Sequence, residues 1–551
     1  MPGARSDELL GDTLSDNHSR PNVLLIMCDQ LRADHTGFGG SPYIRTPHLD
    51  ALAASGTVFP EARVANPICM PNRASLLTGR APSSHGVTAN ADALLLSTNT
   101  LPRQLRGAGY RTSLVGKADL QNGLRRGFDP VTTQAPALGD PYPPGWDRIE
   151  DPDRYLHGRL PDPADFYGFE HIALTLGHAD MVGGHHLRWA LAKGASPDEL
   201  NRAGPHHAIE VNPDWWQIYQ PRLSAELYST TFVTEATIAA VDALSHQEAP
   251  WFIQCSFPDP HHPFTAPGHW HHRHRTGDME LPATFNDYGV DAPSHLNGFR
   301  LLRPSAMPVQ MFGPTPEQLR AAAAAEAGAI EFIDHGIGRI VAALNDVGAA
   351  GNTVVVFTSD HGDMFGDHGL MLKGMMHYSG CLRVPLAIAG PGIPAGTATT
   401  LASTLDITPT LLDLAGVDPY DGIHGVSLVP ALRDPVQPLR DSVYVEEELP
   451  QANRFPFPVP ASARTLITER YRLTRYPGSP LGELYDLTND PTESVNRWND
   501  PACGSQRRDL LEQLLDTTIA HSMPARLGPL DTTTRPPQVS ALSFDSASDE
   551  R

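Results

Sequence analysis

Two short runs that are apolar at every position end abruptly in acidic residues. Val23-Leu24-Leu25-Ile26-Met27 leads into Cys28-Asp29-Gln30, and Val354-Val355-Val356-Phe357 leads into Thr358-Ser359-Asp360-His361-Gly362. Runs without polar alternation fit strands buried on both faces, as in parallel sheets covered by helices. In open α/β sheets, ligands collect beyond the carboxyl ends of such strands. The two runs lie more than 300 residues apart, so a chain that joins both acidic ends in one site needs an α/β fold with long-range strand pairing. Taken singly, an Asp at a strand end is usually only a turn or cap residue.

Helical signals alternate with these strands. Thr46-Pro47 opens a segment with Leu49, Leu52 and Ala53 on one face and Gly56 at its end. Pro316 opens a long alanine-rich helix carrying Ile330, Ile333, Ile337, Ile340 and Val341 before Gly348. Proline suits a first helical turn because its missing N–H has no partner there. Residues 121 to 225, rich in Pro, Gly, Asp and His, read as loops or insertions around a pocket. Composition shifts near Pro435 to Pro438. Strand-like runs at Val443 to Val445, Thr465 to Ile467, Tyr471 to Thr474 and Leu484 to Leu487 then precede a helix using Leu510, Leu511, Leu514 and Leu515. This predicts a small antiparallel sheet backed by a helix. The expected organisation is a disordered arm over 1–20, a large α/β domain over 21–437, an α+β subdomain over 438–521 and an extended tail over 522–551. The tail is either disordered or an arm to a neighbouring subunit of a homo-oligomer.

With 551 residues, 40% hydrophobic and 19% charged, the chain can bury a sizeable core in two domains. A formal charge of −22 and no long Lys/Arg run argue against nucleic acid or an anionic membrane surface as partner. An anionic substrate therefore needs a local positive site. Cys28, Cys69, Cys255, Cys381 and Cys503 are widely spaced with no C-x-x-C pair, which argues against a disulfide framework or a zinc ribbon. Residues 1 to 20 carry no apolar signal-type stretch and no run of 18 apolar residues occurs, so the expectation is a cytoplasmic protein without a membrane span.

The strongest local signal is Cys69-Met70-Pro71-Asn72-Arg73-Ala74-Ser75-Leu76-Leu77-Thr78-Gly79-Arg80. Pro71 puts Cys69 at or just before a helix N-terminus, where unpaired N–H groups and the helix dipole favour an anion. An isolated Cys-x-Pro would read as a buried thiol ahead of an ordinary helix. The whole run, C-x-P-x-R followed by L-T-G-R, resembles the sulfatase family, in which this cysteine is oxidised to formylglycine and becomes the nucleophile. In that family Pro71 and Arg73 are also read by the formylglycine-generating enzyme, an implied partner in maturation. The resemblance runs from Pro21 to about Trp498 and includes Ser403-Thr404-Leu405-Asp406-Ile407-Thr408-Pro409-Thr410-Leu411 and Glu483-Leu484-Tyr485-Asp486-Leu487. It implies the alkaline-phosphatase-like α/β/α sandwich, with a large mixed sheet and a small C-terminal sheet, and makes 21–437 the catalytic domain.

The resemblance also implies site residues. Asp29, Gln30, Asp360 and His361 would hold one divalent metal ion together with the formylglycine at Cys69. Their carboxylate, amide and imidazole donors suit Ca²⁺, Mg²⁺ or Mn²⁺. Gly109-Tyr110-Arg111-Thr112-Ser113-Leu114-Val115-Gly116-Lys117 resembles the second sulfatase motif, whose lysine binds the ester oxyanion. Pro260-His261-His262-Pro263-Phe264 is similar to the H-x-P-F/Y element, which puts His261 near the leaving group. Gly366-Asp367-His368-Gly369-Leu370-Met371-Leu372-Lys373 puts Lys373 at a second oxyanion-binding lysine, and Asn90 matches a polar substrate contact of related phosphonate hydrolases. Arg73 is expected to hydrogen-bond the helix start and the hydrated aldehyde. Lysines, a metal and a histidine around a tetrahedral ester stabilise charge where it develops, and an imidazole can protonate the departing alkoxide.

One position departs from the family pattern. Gly116-Lys117-Ala118-Asp119 has Asp119 where the motif G-K-x-H has a histidine that removes a proton from the covalent ester. A carboxylate there is either a base or the ion-pair partner of Lys117. The implied activity is metal-dependent hydrolysis of small sulfate monoesters, with His261 and Lys373 assisting the leaving alcohol and Asp119 as the base. Hydrolysis of phosphonate monoesters or phosphodiesters with the same nucleophile is the close alternative, because those relatives lack the histidine too. A non-catalytic anion-binding relative is a third. His185-His186, His206-His207 and His269-Trp270-His271-His272-Arg273-His274 lack acidic partners at ligand spacing and read as loop histidines rather than a second metal site.

Overall fold

The computed structural model describes residues 20–90, 92–121, 146–156, 166–196, 200, 204–287, 291–304, 311–449, 461–522 and 540–541. The expected N-terminal arm and most of the C-terminal tail lie outside the described residues. No helix among those residues is long and apolar enough to cross a membrane.

The larger sheet contains, in chain order, β1 (Asn22–Asp29), β2 (Thr57–Val58), β3 (Arg111–Gly116), β4 (His171–Leu174), β5 (Trp251–Pro260), β6 (Thr353–Ser359), β7 (Leu386–Ala389) and β8 (Gly396–Thr397). Across the sheet they run β8-β2-β7-β6-β1-β5-β3-β4, and Ser540–Ala541 adds a ninth strand parallel to β4. β1 is parallel to β5 and β6, with Val23 opposite Phe252 on one side and Val354 on the other. β7 turns the sheet mixed by pairing antiparallel with β6 and β2. The two apolar runs are thus immediate neighbours. Cys28 lies opposite Ser359, so the acidic ends emerge side by side.

Every residue of β1 from Val23 onward is buried, because helices cover both faces. Val23, Leu25 and Met27 pack with Met70, Ala74 and Leu77 of α2 (Cys69–Thr78), whereas Leu24, Ile26 and Cys28 belong to the opposite core. That core includes Phe232 and Ala236 of α3 (Ser229–Ser245) and Ile330, Ile333 and Ile337 of α4 (Pro316–Asp346). The period of two along a strand explains why its pattern is apolar throughout: one core claims odd positions and the other claims even ones. α4 starts at a capping box in which Thr315 Oγ1 accepts from Gln318 N and the Gln318 side chain accepts from Thr315 N. α1 (Pro47–Ala54) is helical, as Thr46-Pro47 predicts.

The small sheet is antiparallel in sequence order: β9 (Ser442–Leu449), β10 (Ala461–Thr468), β11 (Tyr471–Arg475) and β12 (Gly482–Asp486). The helix Gly504–His521 backs it by packing Leu510 and Leu514 on Tyr444, Leu466, Leu473 and Leu484. The region expected to be loops holds more order than its composition suggests. It contributes β4 and the helix His185–Ala192, with His185 and His186 buried and Leu174 N donating to His185 Nδ1 at 3.0 Å. These two are therefore structural histidines inside the fold. Four residues of strand among Gly and His are too few for alternation to disclose.

Gly116 closes β3 at φ +100°, and a Cβ there would stand 1.9 Å from Ser256 O on β5. Neither the dihedral nor the spacing admits another residue. Gly116→Ala should lower stability by more than about 1 kcal/mol, read as a fall in the denaturant midpoint. An unchanged midpoint would show that the strand can part there.

Candidate functional site

Four parallel neighbours deliver the site from their carboxyl ends. β1 ends in Asp29-Gln30, β6 in Asp360-His361, β3 in Lys117 and β5 in His261, while α2 aims its first residue, Cys69, at the same point. Gln30 has φ +64°, which turns the chain out of the sheet immediately after Asp29.

The donor atoms of Asp29, Cys69, Asp360 and His361 all lie within 4.8 Å of one another, and all four residues are buried. His361 Nε2 is 3.2 Å from Cys69 Sγ, 3.4 Å from Asp29 Oδ1 and 3.6 Å from Asp360 Oδ1. Adjacent ligands around a cation bound at about 2.1–2.6 Å stand roughly 3.0–3.7 Å apart, so the spacing fits one divalent ion. The tautomer fits as well. His361 Nδ1 donates to Gly362 O at 2.9 Å, which leaves the Nε2 lone pair facing the carboxylates. Burial, reinforced by Lys373 and opposed by Asp360, pushes His361 down to about 4, so the ring is neutral near pH 7. Gln30 stands beside this set with its amide engaged elsewhere: Oε1 accepts from Lys373 Nζ at 2.5 Å, and Nε2 donates to Asp363 at 2.7 Å.

Charge compensation comes from Arg73 and Lys117. Arg73 Nε donates to Asp360 Oδ2 at 2.7 Å, and Nη1 reaches Ser256 Oγ at 2.8 Å and Lys117 O at 3.0 Å. Its guanidinium thus ties three strand ends to α2. Lys117 Nζ has an acceptor for each of its three protons: Asp29 Oδ2, Asp119 Oδ2 at 2.9 Å and His178 Nε2 at 2.5 Å. Burial alone would raise the Asp29 carboxyl, but Lys117 foremost, with Arg73, holds it well below the usual range. Burial opposes ionisation of Asp119 too, yet Lys117 and Arg73 keep it below its ordinary value. Burial and Asp29 push the Cys69 thiol up to about 12.

Lys373 and His261 form a second polar pair. Lys373 Nζ donates to His261 Nε2 at 2.9 Å, and His261 Nδ1 donates to His262 O at 2.5 Å. Burial, then His178, Lys373 and His262, hold His261 well below 6.5. Asn90 is brought only to the rim, where its Oδ1 accepts Met70 N at 3.2 Å in the first turn of α2. His178 belongs to the site although no motif points to it. Its ring stacks on His261 at 3.8 Å between centroids, and its ligand nitrogen lies within 4.8 Å of Cys69 Sγ. The available signal was its place four residues past the end of β4, the position where parallel strands deliver function. Among the described residues, the groups able to hold a metal ion all lie here, and the other histidine clusters form none.

Comparison with known proteins agrees with this geometry. The family described as Sulfatase matches residues 21–417, and one described as N-sulphoglucosamine sulphohydrolase, C-terminal, matches residues 366–520. An arylsulfatase of Clostridium perfringens (strain 13 / Type A) is 28% identical over 508 residues, covering 90% of this chain and 94% of that protein. A choline-sulfatase of Rhizobium meliloti (strain 1021) is 28% identical over 521 residues, covering 91% and 87%. The crystal structure of a phosphonate monoester hydrolase of Agrobacterium radiobacter is similar with a TM-score of 0.72 and 28% identity, covering 91% of this chain and 96% of that one. The alkaline-phosphatase-like architecture holds over nearly the whole chain. Because the match over residues 21–417 takes in most of the chain and all of its strand-end site, the protein belongs to the sulfatase family, hydrolases of sulfuric esters.

Proposed function

We propose that this chain hydrolyses sulfate monoesters with residue 69, converted to formylglycine, as its nucleophile. The observation that carries the reading is Cys69 Sγ standing among the donor atoms of Asp29, Asp360 and His361. Those residues, with Gln30 alongside, would hold a Ca²⁺, Mn²⁺ or Mg²⁺ ion, which supplies charge neutralisation at the nucleophile and at a substrate oxygen. Formylglycine supplies hydroxyl oxygens where the thiol now stands.

The side chains divide the remaining work. A sulfate oxygen can reach Lys117 only by replacing one of its three acceptors. Replacing His178 costs least, because Asp29 and Asp119 are charged partners and His178 is a neutral one. Burial and Lys117 lower the His178 pKa, so the ring that is released is an unprotonated base beside residue 69. Asp119 stays the counter-ion of Lys117. On the leaving-group side, neutral His261 cannot give a proton from Nε2, since its proton sits on Nδ1. The proton for the departing alcohol therefore comes from the Lys373 ammonium, directly or across the His261 contact.

A phosphonate monoester is the second reading, favoured by the similarity to the phosphonate monoester hydrolase and by the missing motif histidine. Co-expression with a formylglycine-generating enzyme, followed by mass spectrometry of the residue 69 peptide, should find conversion. The converted protein should then prefer an aryl sulfate over phenyl phosphonate by at least about tenfold in kcat/KM. Intact Cys69 beside a competent maturation enzyme would sink the nucleophile, and a phosphonate preference would exchange the two readings. Dialysis against EDTA should abolish turnover, and adding back one of the three divalent ions should restore it; activity that survives chelation would remove the metal from the scheme. His178→Ala should cut kcat by about 10²–10⁴, with Asp119→Asn costing much less. The reverse order would return the proton-accepting role to Asp119.

A further inference from the structure

Lys373 lies in a loop whose backbone is hydrogen-bonded just before it to Asp363 and Met364 and just after it to residues of the small sheet. Leu372 (φ 72°), Gly374 (φ 111°) and Met375 (φ 57°) all sit in the left-handed region. For the two non-glycine residues this conformation is strained and persists only where the surroundings over-determine it. On the N-terminal side the large domain provides the hold. Leu372 N donates to Asp363 Oδ1 at 3.0 Å, and Leu372 O accepts from Met364 N at 3.0 Å. On the C-terminal side both contacts come from the small sheet. Met375 N donates to Glu447 Oε2 of β9 at 2.6 Å, and Met375 O is 3.1 Å from the Tyr476 hydroxyl, just past β11.

Glu447 is itself fixed. His377 Nε2 donates to its Oε2 at 3.0 Å, and His377 Nδ1 pairs with Thr465 Oγ1 of β10 at 2.7 Å. Thr465 in turn bonds Thr474 of β11 at 2.8 Å, and the Tyr476 hydroxyl also reaches Glu483 of β12 at 2.6 Å. Two polar arms therefore reach from the peptide two residues beyond Lys373 into the small sheet, one through Glu447, His377, Thr465 and Thr474 and one through Tyr476 and Glu483. Glu447 is 2% exposed and His377 is fully buried, so these partners lie away from bulk solvent and losing one is costly.

We infer that the small sheet sets the reach of Lys373: Glu447 and Tyr476 are positioning residues that clamp the Met375 peptide and so hold the Lys373 ammonium against His261 and Gln30. The inference deepens the leaving-group role proposed above for Lys373 and rests on it. A misplaced ammonium harms most the esters whose alcohol most needs a proton. Glu447→Ala should therefore lose about threefold in kcat/KM on nitrophenyl sulfate and about a hundredfold on an alkyl sulfate. Tyr476→Phe should show the same trend more weakly, and Glu447→Gln should recover part of the loss. The double variant Glu447→Ala with Lys373→Ala should fall no further than Lys373→Ala alone.

Equal losses across the ester series in both Glu447→Ala and Tyr476→Phe, or additive losses in the double variant, would overturn the inference. If Lys373→Ala itself shows equal losses, the leaving-group role fails, and the double variant still decides whether Glu447 acts through Lys373. Should no ester be turned over, the same double-variant comparison read as inorganic sulfate affinity by calorimetry decides it: non-additive losses support the clamp and additive ones reject it.

Discussion

Two carboxylates buried side by side at neighbouring strand ends dictate what surrounds them. Asp29 and Asp360 are wholly inaccessible, and an uncompensated buried charge costs several kcal/mol. Parallel pairing of β1 with β6 removes any freedom to separate them. Arg73 answers from α2, donating to Asp360 and lying 3.7 Å from Asp29. Arg73 and Cys69 are four residues apart on one helix and therefore share a face. Once the guanidinium is drawn to the carboxylates, Cys69 has to arrive beside Asp29 and His361. The spacing in C-x-P-x-R thus has a mechanical meaning: the arginine that neutralises the acids also aims residue 69 at them.

Other buried carboxylates hold backbone. Asp119 has φ +54°, and Glu150 accepts the N–H groups of Asp119, Leu120 and Gln121 at 2.8–2.9 Å. Burial, followed by the nearby Asp119 charge, pushes Glu150 up to about 8. Asp363 does similar work, accepting from Phe365 N, Leu372 N and Gln30 Nε2 at 2.7–3.0 Å. Left-handed turns next to the site are steep in cost, and each is matched by a carboxylate that collects the N–H groups the turn exposes. The placement of Lys117 and Lys373 follows from the turns that these acids hold.

Much of this was legible in the residues. β1 and β6 declare themselves because both faces are buried, and the polar ends of those strands mark the site. The small sheet declares itself through short β-branched and aromatic runs. What was hidden depends on tertiary closure. His178 carries no spacing to any other site residue, since it reaches Lys117 through sheet order alone. Gln30 follows Asp29 as the resemblance implies, and its amide also joins Lys373 to Asp363, a link no spacing discloses. Asn90 also accepts Met70 N in the first turn of α2, a contact that depends on how the chain folds back.

Sulfate and phosphonate monoesters both carry one negative charge on a tetrahedral centre, so net charge in the site does not separate them. Their non-bridging atoms do: sulfate presents three oxygens, and phosphonate two oxygens and a carbon. A donor left facing carbon costs about 1–3 kcal/mol when it was built for an oxygen. Lys117 escapes that cost, because the proton directed at His178 Nε2 keeps its acceptor if no oxygen arrives. A phosphonate turned with its carbon toward Lys117 can then bind without a broken hydrogen bond. Under the proposed scheme such a ligand leaves His178 occupied and the base unavailable, whereas a sulfate oxygen in that place releases it. Under that scheme the difference between the two esters lies in what meets the Lys117–His178 contact rather than in net charge.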